Sequence, residues 1–392
     1  MTTMVLADIM PRLNWLSAST LALAPAIAVL AVWFGIRNLR RYIEIMIHVL
    51  DDHSPDPDSG GERIDPAGET VHFRAADGHL LRGMMLESSP GARGLVIFGH
   101  EFCSDLTSCV RYCDPLREAG YDVFAFDFRG HGGSDPQPGY RPRWLPTDRE
   151  RSDMHGAIGF AERWLCERGR PADIGLFGVS RGGGAAILAA EHHPSVKAIV
   201  TDGAFSGDAT LEYLMRRFAT IFARIRVVAE NHPRWFWRFL RWLFFRECER
   251  RFRCRFPSVR RAVGRLGRRP ILIVHGEKDS YIPIAQSQSL FDLARGPKQL
   301  WIVPSAKHNQ AILLQPGEYA RRAVRFFDEH LATRVAHVTE TPSSIGRFST
   351  ADRTSTPSHH AVPTPAAALA MALDSGSAFP LLADAPVPPG SR

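Results

Sequence analysis

Three residues far apart in the chain carry reactive chemistry: Ser180, Asp279 and His308. A serine hydroxyl is a weak nucleophile at neutral pH. It needs a base to take its proton, and that base needs a carboxylate to orient it. Ser180 sits in GVSRG, residues 178–182, where an apolar run ends and a glycine-rich run of small residues begins. Glycines two positions before and after a serine fit a sharp strand-to-helix turn, because strand and helix approach closely there. Such a turn lifts the hydroxyl above the sheet. The amide of Arg181, opening the next helix, can face a developing oxyanion. Asp279 follows the apolar run ILIVHG and His308 follows LWIVP, so both stand at strand ends. The order Ser, Asp, His is the one expected for a sheet of this type. His275, in the same segment as Asp279, reads as a structural hydrogen-bonding residue.

Positioning these groups requires alternating strands and helices. TVHFRAADGHLLRGMMLE reads as an opening hairpin that turns at Asp77 and Gly78. GLVIFGH, YDVFAFDFR, DIGLFGV, VKAIVTDG, PILIVHG and KQLWIVP read as buried strands, with helical segments such as 150–168 and 183–193 between them. This alternation predicts an α/β fold with a mainly parallel central sheet, right-handed crossovers and flanking helices. One catalytic domain over about residues 65–332 accounts for all of it, with residues 205–269 inserted as a helical cap.

Four motifs in register, FDFRGHGGS (126–134), GVSRGG (178–183), HGEKDSYIP (275–283) and AKHNQ (306–310), resemble the α/β-hydrolase fold serine hydrolases. The branch they most resemble includes monoacylglycerol-lipase-like and serine-aminopeptidase-like enzymes. Over about residues 70–332, the resemblance implies Ser180 as nucleophile, His308 as general base and acid, and Asp279 as the orienting carboxylate. It implies no metal and no organic cofactor. Dehalogenases and epoxide hydrolases of this fold carry aspartate where Ser180 stands. The family usually has His-Gly after the first core strand, whereas this chain reads FGHEF at 98–102, with Glu101 in place of glycine. Matching His100 to the family's histidine makes Phe102 the second oxyanion-hole amide beside Arg181. A carboxylate at Glu101 would oppose a forming oxyanion unless it points to solvent or pairs with a cation such as Arg181. Asp127, Arg129 and His131 are expected to lock their loop rather than to react.

Charge and hydropathy add a membrane to the expected partners. The net charge is +7, yet residues 205–269 hold 17 arginines against five acidic residues, so this segment carries +12 and the remainder −5. Arg234, Arg238 and Arg241 fall on one side of a helix rich in Trp and Phe. That pattern suits either an interface with lipid or a lid packed on the core, and no nucleic acid is expected because no nucleic-acid motif accompanies it. Residues 13–36 run 24 positions without a charge, enough for a transmembrane helix. The arginines that follow place the catalytic domain on the cytoplasmic side. Residues 51–70 read as a linker and 333–392 as a disordered tail. Six cysteines without a CxxC pair indicate neither a zinc site nor a disulfide scaffold, and Cys103, Cys109 and Cys113 read as buried small residues. These features together lead to a membrane-tethered serine hydrolase acting on a small-molecule ester or lipid-like substrate, with a peptidase or a non-catalytic scaffold as alternatives.

Overall fold

The computed structural model describes residues 2–51, 66–88, 91–222 and 232–331. Two compact units divide the chain, Met1–Asp51 and Asp52–Arg392. The first is one helix, α1 (Thr2–Asp51), continuous through Pro25. Leu23, Ile27, Leu30 and Trp33 are exposed along it. The uncharged run 13–36 lies partly among side chains outside those described, and among the described residues no helix is long and apolar enough to cross a membrane. Most of the expected linker and all of the expected tail likewise lie outside the described residues.

The second unit is built on an eight-stranded sheet: β1 (Glu69–Arg74), β2 (Leu80–Leu86), β3 (Leu95–Gly99), β4 (Asp122–Phe126), β5 (Ile174–Val179), β6 (Val196–Asp202), β7 (Ile271–Gly276) and β8 (Lys298–Val303). Their spatial order is β1-β2-β4-β3-β5-β6-β7-β8. The β1–β2 hairpin is antiparallel, β2 pairs antiparallel with β4, and all remaining pairs are parallel. The intervening helices are α2 (Cys109–Glu118), α3 (Asp148–Glu167), α4 (Arg181–Ala190), α5 (Gly207–Phe222), α6 (Arg234–Phe252), α7 (Val259–Arg265), α8 (Ile284–Leu293), α9 (Ala311–Leu314) and α10 (Pro316–His330).

Helices on both faces explain why the central strands β3, β4, β5 and β7 are buried at every position, whereas β1 at the sheet edge alternates with polar residues. In β3, Leu95 and Ile97 join the core shared with α3, α4 and α7, while Val96 and Phe98 join the core shared with α2 and α10. From β3 the chain winds first to β4 on one side and then to β5 on the other. The carboxyl ends of β3 and β5 therefore flank the switch point where sheets of this kind open a crevice.

The expected cap divides into two parts. α5 and α6 stand outside the alternation and are joined by the Glu212–Arg241 ion pair at 2.8 Å. α7, however, buries Val259, Ala262 and Val263 in the main core. It is a crossover helix on the way to β7, so the inserted part ends before residue 259 and not at 269.

Candidate active site

Ser180 occupies the turn between β5 and α4 with φ +52 and ψ −116, a conformation that side chains rarely adopt. Surrounding atoms leave no alternative to glycine on either side. A β-carbon at Gly178 would stand 2.6 Å from the Gly182 carbonyl oxygen, and one at Gly182 would stand 2.6 Å from the His100 carbonyl oxygen. The close packing that makes the turn sharp also brings the first turn of α4 against the exit of β3.

Three strand-end loops then meet. Ser180 Oγ lies 2.9 Å from His308 Nε2, and His308 Nδ1 lies 2.6 Å from Asp279 Oδ2. The other Asp279 oxygen accepts the amides of Tyr281 at 2.9 Å and Ile282 at 2.8 Å, which fixes the carboxylate between loop and imidazole. With Nδ1–H directed to Asp279, Nε2 is left as the acceptor for the serine proton. His275 stands 3.7 Å from Asp279 but is engaged elsewhere. Its Nε2 donates to the Ile282 carbonyl at 2.8 Å and its Nδ1 accepts from Ser287 Oγ at 2.7 Å. Burial holds it below the usual histidine range, so it supports the loop as a neutral ring.

The Arg181 amide opens α4 directly after Ser180, and Phe102 lies on the loop that leaves β3, its ring 5.1 Å from the Arg181 guanidinium. The first amides of a helix have no partner within it, so a helix that starts at the nucleophile offers the donor a developing oxyanion requires. His100 shapes the loop that carries Phe102: its Nδ1 donates to the Glu101 carbonyl at 2.6 Å, and its Nε2 accepts the Phe128 amide at 3.1 Å. Burial and the nearby Arg181 cation push its pKa down to about 3, so it stays neutral in that role.

Arg181 and Glu101 do not pair. The Arg181 guanidinium is fully buried, 3.6 Å from Glu150, donating to the Arg143 carbonyl and to His131 Nε2 at 3.2 Å each. It lies between the rings of Phe102 and Phe128, 5.1 and 5.3 Å from their centres. Glu150 is itself the third residue of α3 and completes a capping box with Thr147, so the helix start supplies the counter-charge. Glu101 turns to a different partner, accepting from Ser108 Oγ at 3.2 Å. Burial raises its carboxyl above the usual range, against the hydrogen bonds of Ser108 and Ser104 and the charge of Arg111. Its side chain thus meets Ser108 rather than Arg181, on a half-buried residue.

The neighbouring loop is held by its polar residues. Asp127 accepts the amides of Leu106 and Gly133, and Arg129 bonds Asp77, Asp153 and Gln137. Cys109 and Cys113 are buried on α2, whereas Cys103 is exposed in a left-handed turn at φ +61, contrary to its expected burial. Sequence reasoning passed over Asp202 and Gly203. Asp202 ends β6, its carbonyl accepting the Ser180 amide at 2.7 Å and its buried carboxyl accepting the Tyr319 hydroxyl at 3.0 Å. A β-carbon at Gly203 would lie 3.0 Å from His308 Cε1. The available signal was an acid followed by glycine at a strand end beside the serine strand.

Comparison with known proteins agrees with this architecture. The Pyrococcus furiosus esterase Pf2001 superposes with a TM-score of 0.53 at 20% identity, covering 71% of this chain and 99% of that one. The chain has the α/β-hydrolase fold. The α/β hydrolase GrgF from Penicillium sp. sh18 shares it with a TM-score of 0.50 at 18% identity, over 68% of this chain and 99% of that chain. Within the α/β-hydrolase domain, residues 90–242 match the family described as serine aminopeptidase, S33. The uncharacterized protein YfhR of Escherichia coli O157:H7 is 25% identical over 287 residues, 70% of this chain and 82% of that protein. The uncharacterized protein Rv2307c of Mycobacterium tuberculosis is 26% identical over 277 residues, 70% of this chain and 84% of its own.

Proposed function

We propose that the chain is a serine hydrolase that cleaves a carboxylic ester or thioester, with an apolar acyl group, through an acyl-Ser180 intermediate. The observation that carries the reading is the unbroken relay from Ser180 Oγ through His308 to Asp279, at 2.9 and 2.6 Å. His308 Nε2 takes the hydroxyl proton as the serine attacks and returns it to the leaving alkoxide or thiolate. Asp279 steadies the imidazolium formed between these steps. The amides of Arg181 and Phe102 stabilise the tetrahedral oxyanion, and water then repeats the sequence on the acyl-enzyme. None of these steps calls for a metal or organic cofactor. The solved esterase of the same fold supports an ester substrate. The serine aminopeptidase family match favours one second reading, cleavage of an aminoacyl amide by the same three residues.

Fluorophosphonate labelling of the wild type beside Ser180→Ala, followed by hydrolysis of an ester series and an aminoacyl amide, tests the reading. Labelling should vanish in the variant, and ester turnover should fall by about 10⁴-fold or more. Faster turnover of the amide would assign the peptidase reading. No labelling of folded wild type would leave only a non-catalytic scaffold.

A membrane tether through residues 13–36 belongs to the same proposal, supported by 24 uncharged residues within one continuous helix. Carbonate extraction of cell membranes should leave the chain in the pellet; release into the supernatant would remove the tether. The arginines after this run favour a catalytic domain on the cytoplasmic side.

A further inference from the structure

Helix α6 buries one face and leaves an equally apolar one in water. Trp237, Leu240, Phe244 and Cys248, spaced three and four residues apart, are buried, and Arg241 beside them is tied to Glu212. Arg241 thus leaves the cationic side on which Arg234 and Arg238 stand. Trp235, Phe239 and Trp242 recur at the same spacing on the opposite side and are 67%, 45% and 52% exposed. Phe239 and Trp242 stack with centroids 5.9 Å apart, and the Arg246 guanidinium lies 5.3 Å from the Trp242 ring. Arg234, Arg238 and Arg246 are exposed along and beside this stripe, and among the described residues no acidic side chain pairs with them. Single exposed aromatics are ordinary, but three in line on a cationic helix mark a surface with a partner.

We propose that this stripe docks on an anionic lipid bilayer, its three rings entering the boundary between headgroups and acyl chains and its arginines meeting lipid phosphates. Broad rings with a polar edge suit that boundary, and guanidinium groups beside them supply the attraction to negative charge. A second copy of the chain is the poorer occupant, because pairing the stripe with itself sets arginine against arginine. The proposal does not depend on hydrolase activity or on α1.

The test is tryptophan quenching in the full chain bound to vesicles of brominated phosphatidylglycerol. Trp15 and Trp33 of α1 contribute equally to the wild type and to Trp235→Phe/Trp242→Phe, so the difference reports α6 alone. Both substitutions are at exposed sites and conserve an aromatic ring. With the two stripe tryptophans removed, the quenched emission should fall by about twofold or more. In mixtures with phosphatidylcholine, Arg234→Gln/Arg238→Gln/Arg246→Gln should weaken the dependence of α6 quenching on phosphatidylglycerol, by roughly fivefold per charge. Equal quenching of wild type and double tryptophan variant overturns the proposal, as does equal α6 quenching in pure brominated phosphatidylcholine. A dimer in sedimentation that Trp235→Ala/Trp242→Ala dissolves, together with unchanged quenching, would also overturn it and assign the stripe to a second copy.

Discussion

His308 is placed by its neighbours as much as by its own loop. Gly203 has φ +63, and a β-carbon there would stand 2.9 Å from Asn309 Oδ1 and 3.0 Å from His308 Cε1. A contact that tight must push the imidazole or its loop, and a shift of well under 1 Å is enough to misalign proton transfer. Gly203→Ala should therefore lower kcat at least about tenfold while KM changes little, with a stability cost of ~1 kcal/mol from the positive φ. Steady-state kinetics beside a denaturant melt checks it; full kcat in the variant would mean that His308 is positioned from elsewhere. Ser180, Asp279 and His308 were legible in the sequence because glycine spacing and strand-end positions are local signals. Gly203 was not, because its neighbour lies about a hundred residues further along the chain.

Between elements, the decisive contact joins the start of α3 to the start of α4. Arg181 is buried directly behind the nucleophile, and Glu150 is its carboxylate counter-ion at 3.6 Å. Glu150 also accepts the Tyr140 hydroxyl and the Thr147 amide, at 2.6 and 2.9 Å. Removing this carboxylate leaves a buried cation without its counter-charge, a change that costs about 3–5 kcal/mol. Glu150→Ala should unfold at markedly lower denaturant concentration than the wild type and lose fluorophosphonate reactivity with it. An unchanged midpoint would show that the Arg143 carbonyl and the flanking rings suffice. Asp127 and Arg129 were legible as loop-locking residues, whereas the partner of Arg181 was not, since sequence proximity pointed to Glu101. The reach of α7 into the main core was equally hidden: its apolar positions look the same whether they face a cap or a sheet.

At the scale of the whole molecule, stability carries a pH signature. Burial lifts the Asp202 carboxyl from 3.8 to about 7, against the hydrogen bond from Tyr319 and the charge of His308. Its Oδ1 has no hydrogen-bond partner among the described residues. Below the unfolded pKa the group is protonated in both states and costs nothing. Between about pH 4 and 7 only the folded chain retains the proton, so stability is lost as pH rises through that window. Asp202→Asn preserves an acceptor for Tyr319 and cannot ionise. Its melting temperature should match the wild type near pH 4 and exceed it at pH 8. A difference that stays constant across this range would show that Asp202 ionises no differently in the folded chain.

The sequence by itself determined the α/β alternation, the serine turn and the strand ends that carry acid and base. Each depends on a few adjacent residues: glycines where backbones touch, and apolar runs where both faces of a strand are covered. Tertiary structure alone decided which charges meet. Arg181 found Glu150, Glu101 found Ser108, and Asp202 was enclosed beside the serine strand. A buried charge takes whichever partner the packing brings near, and that choice is made across the sheet rather than along the chain.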